Sequence, residues 1–205
     1  APGTGSGGSG SGGGSGGGSG NDRGRGRGDY LPYPPPPGAP GVGLVGWGYP
    51  GRDINVLQDS EQIGWTTANQ DGEFGAFLSD LVQGVYTFSV WTDDINGNQS
   101  PTYSTTFWID DGTQTTVTDI IIPPTIALNT GSADVGNTVE ISGYSIPGKT
   151  VEMWIYPSAV IEPEIDEATV VTSVADNLGR YVNYFSTDVL QNGEYIIKSR
   201  VTIEG

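Results

Sequence analysis

The stretch LVQGVYTFSVWTDDINGNQS occupies residues 81–100. Its first half alternates: Tyr86, Phe88 and Val90 fall on one face, and Val85, Thr87, Ser89 and Trp91 on the other. That period of two belongs to a strand with one face buried. The second half, DDINGN, collects the residues of a tight turn. The same texture of short runs rich in Val, Ile, Thr and aromatics, broken by Gly, Pro, Asn and Asp, continues in both directions. It predicts seven strands between Leu44 and Ile122 and six between Thr125 and Ile203. No segment carries a sustained helical period. Strands at this spacing predict antiparallel β-sandwiches.

Working outward, the chain repeats itself. GWGYPGRDINV (residues 46–56) returns as GYSIPGKTVEM (residues 143–153), 97 positions later. Gly72 of DGEF matches Gly179 of NLGRY at an offset of 107, and Gly84 matches Gly193 at 109. The growing offset places an insertion before Asn177, at the acidic run around residues 161–168. Between the repeats, IIIPPTIAL (residues 120–128) contains two prolines that cannot donate to a ladder, so one sheet system ends there and another begins. The expected organisation is a low-complexity segment over 1–41, a first sandwich over 42–122 and a second over 123–205. After its Gly-x-Tyr strand the first repeat continues through two more strands. The second repeat has only its Gly-x-Tyr strand there, but gains a strand at its start. A sandwich without its last strands exposes unpaired backbone groups, to which another chain can add a strand.

Residues 1–28 hold 15 glycines and no large apolar side chain. Alone, such a segment is a random coil. Ordering it costs on the order of tens of kcal/mol, which only dense contacts with neighbouring chains would offset. Pro32 to Gly38, PYPPPPG, reads as a stiff polyproline spacer. In the period-two tract RGRGRGD, an extended backbone would put Arg23, Arg25 and Arg27 on one face about 7 Å apart. Beyond that tract the chain has five Lys and Arg against 22 Asp and Glu, within a net charge of −16. The acidic body excludes a duplex nucleic acid partner, because phosphate binding needs cations. It also argues against anionic membranes, and no apolar run approaches the length of a membrane helix. The natural partner of the arginine row is therefore the body of another copy. Ala1 fits a mature N-terminus left after signal cleavage.

Cysteine and histidine are both absent. Thiol chemistry, disulfides, histidine general bases and histidine-ligated metals go with them. Asp94, Asn96, Asn98 and Ser100 occupy the first four alternate positions of a calcium loop. However, Gln99 stands where that loop needs glycine, and Thr105 where it needs glutamate. A hairpin turn is the simpler reading. Asn98 also opens a glycosylation sequon. Glu162, Glu164, Asp166 and Glu167 lie within six residues. They read as a solvated acidic loop, and as a dock for the arginine row or for a divalent cation, before they read as a glycosidase pair. Trp47, Trp65, Trp91, Trp108 and Trp154 read as core and interface residues, with a sugar-stacking platform as the alternative.

The paired Pro-Gly turns at Pro50-Gly51 and Pro147-Gly148, together with DGEF, GVYTFSVWTDDINGNQS, IIIPPTIAL and GEYIIKSR, resemble tandem immunoglobulin-like or fibronectin-III-like modules of bacterial secreted and surface proteins. They resemble in particular paired modules of uncultured small-genome bacteria. The resemblance covers about residues 41–205. It implies spacers, adhesins or appendage subunits, and it brings no catalytic residues. The expectation is therefore an extracellular or cell-surface structural protein without enzymatic activity or cofactor. It would form a homopolymer through its N-terminal segment and through strand addition, with Val42 and Leu44 of GVGLVGW on the donated strand. The alternative is a monomeric adhesin or carbohydrate-binding module on a flexible stalk.

Overall fold

The structure, a computed structural model, describes residues 28–203. The first repeat forms β1 (Asp29–Tyr30), β2 (Gly41–Trp47), β3 (Asp53–Gln58), β4 (Glu61–Thr67), β5 (Glu73–Leu78), β6 (Gly84–Thr92), β7 (Tyr103–Ile109) and β8 (Gln114–Ile121). The alternation of residues 81–100 becomes β6, with Phe88 and Val90 buried and Val85 exposed. One sheet runs β1-β4-β3-β6-β7 and the facing sheet β5-β2-β8. Between them lie Leu44, Ile54, Val56, Phe74, Phe88, Ile109 and Ile120, all in one core. Each such buried side chain contributes about 1.5–3 kcal/mol.

The second repeat forms β9 (Ala127–Leu128), β10 (Thr138–Tyr144), β11 (Thr150–Pro157), β12 (Thr169–Val174), β13 (Arg180–Ser186) and β14 (Tyr195–Val201), with a 3-10 turn at Thr187–Val189. Its sheets run β13-β10-β9 and β12-β11-β14. They enclose Val139, Ile141, Val151, Met153, Ile155, Tyr181 and Phe185. The repeat seen in sequence is a repeat in space. Gly48 N donates to Gly72 O at 2.7 Å, and Ser145 N to Gly179 O at 2.8 Å. Asn69 Oδ1 caps Asp71 N and Glu73 N just as Asp176 Oδ1 caps Leu178 N and Arg180 N. The insertion lies where β11 and β12 are joined by residues 158–168, in place of the two-residue turn Asp59-Ser60 between β3 and β4.

Both units are two-layer sandwiches, and the structure corrects three details. First, pairing is not antiparallel throughout: β8 runs parallel to β2, and β1 parallel to β4. A strand that reaches its partner by crossing from the opposite sheet is free of the hairpin constraint. The resulting order places β2, where the repeat begins, between β5 and β8 and apart from β3, unlike the immunoglobulin order, in which the first and second strands are neighbours. Second, Val42 and Leu44 belong to this central strand. Both are fully buried in their own core, and both edges of β2 are paired. They serve their own sandwich and are not free to be donated. Third, the stiff spacer expected at residues 32–38 does not stand free: the chain is held to the first sandwich at Tyr30, Leu31 and Tyr33. Tyr30 packs edge-on against Trp65 with centroids 4.9 Å apart, and Leu31 N donates to Trp65 O at 2.7 Å. Tyr33 covers Gly43 and Gly75; a β-carbon at Gly75 would meet its ring at 2.6 Å.

The two units meet at the linker. Thr125 is buried and all its polar groups are engaged. Its hydroxyl donates to Asp94 Oδ2 at 2.9 Å and accepts from Tyr144 N at 3.0 Å. Its amide donates to Tyr144 O at 3.0 Å, and its carbonyl accepts from Tyr181 Oη at 2.6 Å. Tyr49 Oη donates to Pro123 O at 2.6 Å. Burial holds the Tyr49 hydroxyl far above its ordinary pKa and pushes that of Tyr181 up to about 12. The turns of the two repeats also touch reciprocally. Gly72, with φ of 82°, faces Pro147 of the second unit, and Gly179, with φ of 78°, faces Pro50 of the first. A β-carbon at either glycine would lie 3.0 Å or less from the proline ring across the junction.

Burial raises the Asp94 carboxyl. The hydrogen bonds from Asn98, Thr125 and Asn96 together outweigh it, and the net displacement is downward. The stabilisation Asp94 provides is therefore complete above the ordinary aspartate value of about 3.9. It declines below that pH and is lost once the pH has fallen through the depressed folded value. The substitution Asp94→Asn should cost about 2 kcal/mol at pH 7. The difference from the natural protein should shrink below about pH 4, as urea unfolding at both pH values will show. An unchanged difference at pH 3 contradicts this assignment.

Candidate functional site

The offset of 109 aligns β14 with β6, so Tyr195, Ile197 and Ser199 stand where Tyr86, Phe88 and Val90 stand. In the first unit, the edge of β6 away from β3 is taken by β7 from Gly84↔Ile109 to Val90↔Tyr103. Tyr103, Phe107 and Ile109 then close the sandwich with Val117 and Ile120 of β8. In the second unit, β14 pairs with β11 on one edge only, and among the described residues no strand lies on the other. The place that β8 holds beside β2 is taken beside β10 by β9. That strand contributes only two residues, Ile141↔Leu128 and Ser142↔Ala127, and runs antiparallel.

The two sheets of the second sandwich therefore part along this side into a cleft of about 800 Å³. Val139 and Phe185 line it from one sheet, Ile155, Tyr195 and Ile197 from the other, and Leu128 and Leu190 at its rim. Val139 and Phe185 retain 8% and 6% exposure, whereas Val42 and Leu78 at the matching places of the first sandwich retain 0% and 4%. An open edge with unpaired backbone beside an apolar slot is the arrangement that accepts an added strand.

The outer face of β14 is basic. Arg200 Nε donates to Glu152 Oε2 at 2.7 Å and its guanidinium lies 4.6 Å from the Trp154 ring. The hydrogen bond from Arg200, then that from Trp154, holds the Glu152 carboxyl below its ordinary value. Lys198 Nζ lies 5.7 Å from the Tyr156 ring and makes no ion pair among the described residues.

The residues singled out in the sequence scatter. Both oxygens of Asp94 are taken: Oδ1 accepts from Asn96 N and Asn98 N, and Oδ2 from Asn98 Nδ2 and Thr125 Oγ1. Ser100 Oγ accepts from Thr92 N and donates to Pro101 O. The loop is thus built as a capped turn that grips the linker, and the amide nitrogen of the Asn98 sequon points into it. Among the described residues no group of three or more carboxylates stands together as a metal site. Glu162, Glu164, Asp166 and Glu167 are exposed and take part in no ion pair among the described residues. Arg23, Arg25 and Arg27 lie outside the described residues. Of the tryptophans, Trp65 and Trp91 share one face, flanking Asn55 across β4-β3-β6, with Tyr30 beside Trp65. Trp108 is exposed on β7, and Trp154 lies on the second unit. The unequal repeats point to this edge of β14, which no strand takes up among the described residues. Sequence reasoning did not find the junction formed by Asp94 and Thr125, whose partners are 31 positions apart.

No family model and no curated protein matches the chain. A solved structure, a DUF3823 family protein from Parabacteroides merdae, aligns over 80% of this chain and 91% of its own, at 18% identity and a TM-score of 0.27.

The open edge has a direct signature. Amides of β14 that face away from β11 should exchange with deuterium far faster than those of β6, both of whose edges are paired. Equal protection along β14 and β6 in the dispersed protein would show that the edge is covered.

Proposed function

We propose that the protein is a non-enzymatic structural subunit of an extracellular or cell-surface assembly, joined to its neighbours by β-strand addition at the second sandwich. The reading rests on the open side of that unit. The first sandwich closes the same side with β7 and β8, while among the described residues the second leaves a cleft beside the open edge of β14. A contact in which one subunit's slot takes a different element of its neighbour is heterologous and propagates into a filament. The glycine-rich N-terminal segment supports the same reading through charge: its arginine row is complementary to the acidic body of an adjacent copy.

Electron micrographs of the purified protein test this reading. Fibres or head-to-tail oligomers are expected. Deleting residues 1–28 should leave folded, soluble particles, and rising salt should weaken assembly. Single particles at every concentration overturn the self-assembly scheme, and filaments unchanged by the deletion refute the role of the N-terminal segment. A second reading, a carbohydrate-binding surface module, is favoured by the aromatic row of Tyr30, Trp65 and Trp91 around Asn55. Glycan-array binding by dispersed monomers that is lost in Trp91→Ala would support it.

A further inference from the structure

We infer that the strand accepted by β14 is a peptide with apolar side chains at alternate positions and carboxylates on the intervening face. The inference rests on the strand-addition reading above and specifies its partner. The first unit supplies the template. Opposite β6, the strand β7 sends Tyr103, Phe107 and Ile109 into the core, and its other face forms hydroxyl pairs: Ser89 with Ser104 and Thr87 with Thr106, each at 2.8 Å. In the second unit the inward positions are again apolar at Tyr195 and Ile197. The outward positions have changed chemistry. Lys198 stands at the place of Ser89, and Arg200 at the place of Trp91.

These are two of the five cations beyond the arginine tract, in a chain of net charge −16. Both lie on the strand whose edge is open. Arg200 already pairs with Glu152, so Lys198 is the cation left without an ion pair among the described residues. A second β14 in the antiparallel register that sets Lys198 opposite Arg200 would place like charges together, which is unfavourable. A strand with carboxylates opposite them reverses the sign. The local pair outweighs the general repulsion of the acidic body, because that repulsion is screened beyond about 8 Å at physiological salt.

The test uses the full chain and three labelled peptides built on residues 101–110, PTYSTTFWID. One has the natural sequence, one carries Thr102→Glu and Ser104→Glu, and one carries Thr102→Lys and Ser104→Lys. Positions 102 and 104 are those that β7 would set opposite Arg200 and Lys198. A scrambled peptide is the control. Affinity is read by fluorescence anisotropy, and the location by amide protection over Tyr195–Val201. The Glu peptide should bind about tenfold more tightly than the Lys peptide. The gap should close in 1 M NaCl and in the variant Lys198→Ser/Arg200→Ser. Equal affinity of the three peptides, with β14 protected, overturns the charge inference and leaves strand addition standing. Protection of β14 by no peptide overturns both. A dimer joined through the β14 strands of both copies, with β14 protected in the absence of peptide, would show that two like-charged edges pair and would overturn the inference.

Discussion

The carboxylate of Asp94 organises both halves of this molecule. It closes the turn after β6 through Asn96 and Asn98, and through Thr125 it fixes the first residue beyond the two linker prolines. Thr125 passes the constraint on to Tyr144 and Tyr181, which belong to the second unit. A buried charge is tolerated only when its oxygens are satisfied, and here satisfying them requires both sandwiches. Gly143 shows how close the packing is: a β-carbon there would fall on the Thr125 carbonyl and the Tyr181 hydroxyl. At the matching place in the first repeat, a β-carbon on Gly46 would fall on the Ile120 carbonyl of β8. The same glycine admits a strand in one unit and the linker in the other.

The sheets were legible because their signals are local. Alternation in β6, turn residues at residues 93–98 and the matched Pro-Gly turns each depend on a few neighbouring residues. The partners of each strand were less legible. Nothing in GVGLVGW says that it will lie between β5 and β8, or that β8 will run parallel to it. Its glycines hint only that something comes close, and that something is Ile120 at Gly46, and Thr116 and Tyr33 at Gly43. The donor role given to Val42 and Leu44 failed for this reason: alternation identifies a strand with a buried face, but not which core buries it.

The open side was legible by subtraction, because one repeat has two strands that the other lacks over the described residues. The substitution of β9 for β8 was not. A strand over residues 125–128 is expected, but nothing in its sequence says that it lies beside β10 or that it runs antiparallel, and Ala127 and Leu128 are themselves exposed. The calcium reading of residues 94–100 shows the opposite hazard. Oxygen-bearing residues at alternate positions suit a cation, but they suit a capped turn equally well, and here the amides already present take up both oxygens of Asp94.

The reciprocal meeting of Gly72 with Pro147 and Gly179 with Pro50 has a mechanical consequence. Each unit braces the other with the same corner, so the junction is a keyed joint with a local twofold character. The chain passing through it has no slack, since the Pro123 carbonyl and the polar groups of Thr125 are all anchored. The two sandwiches have no free length about which to hinge. A pull along the chain would have to work against the Thr125 hydrogen bonds before the two sandwiches could swing apart.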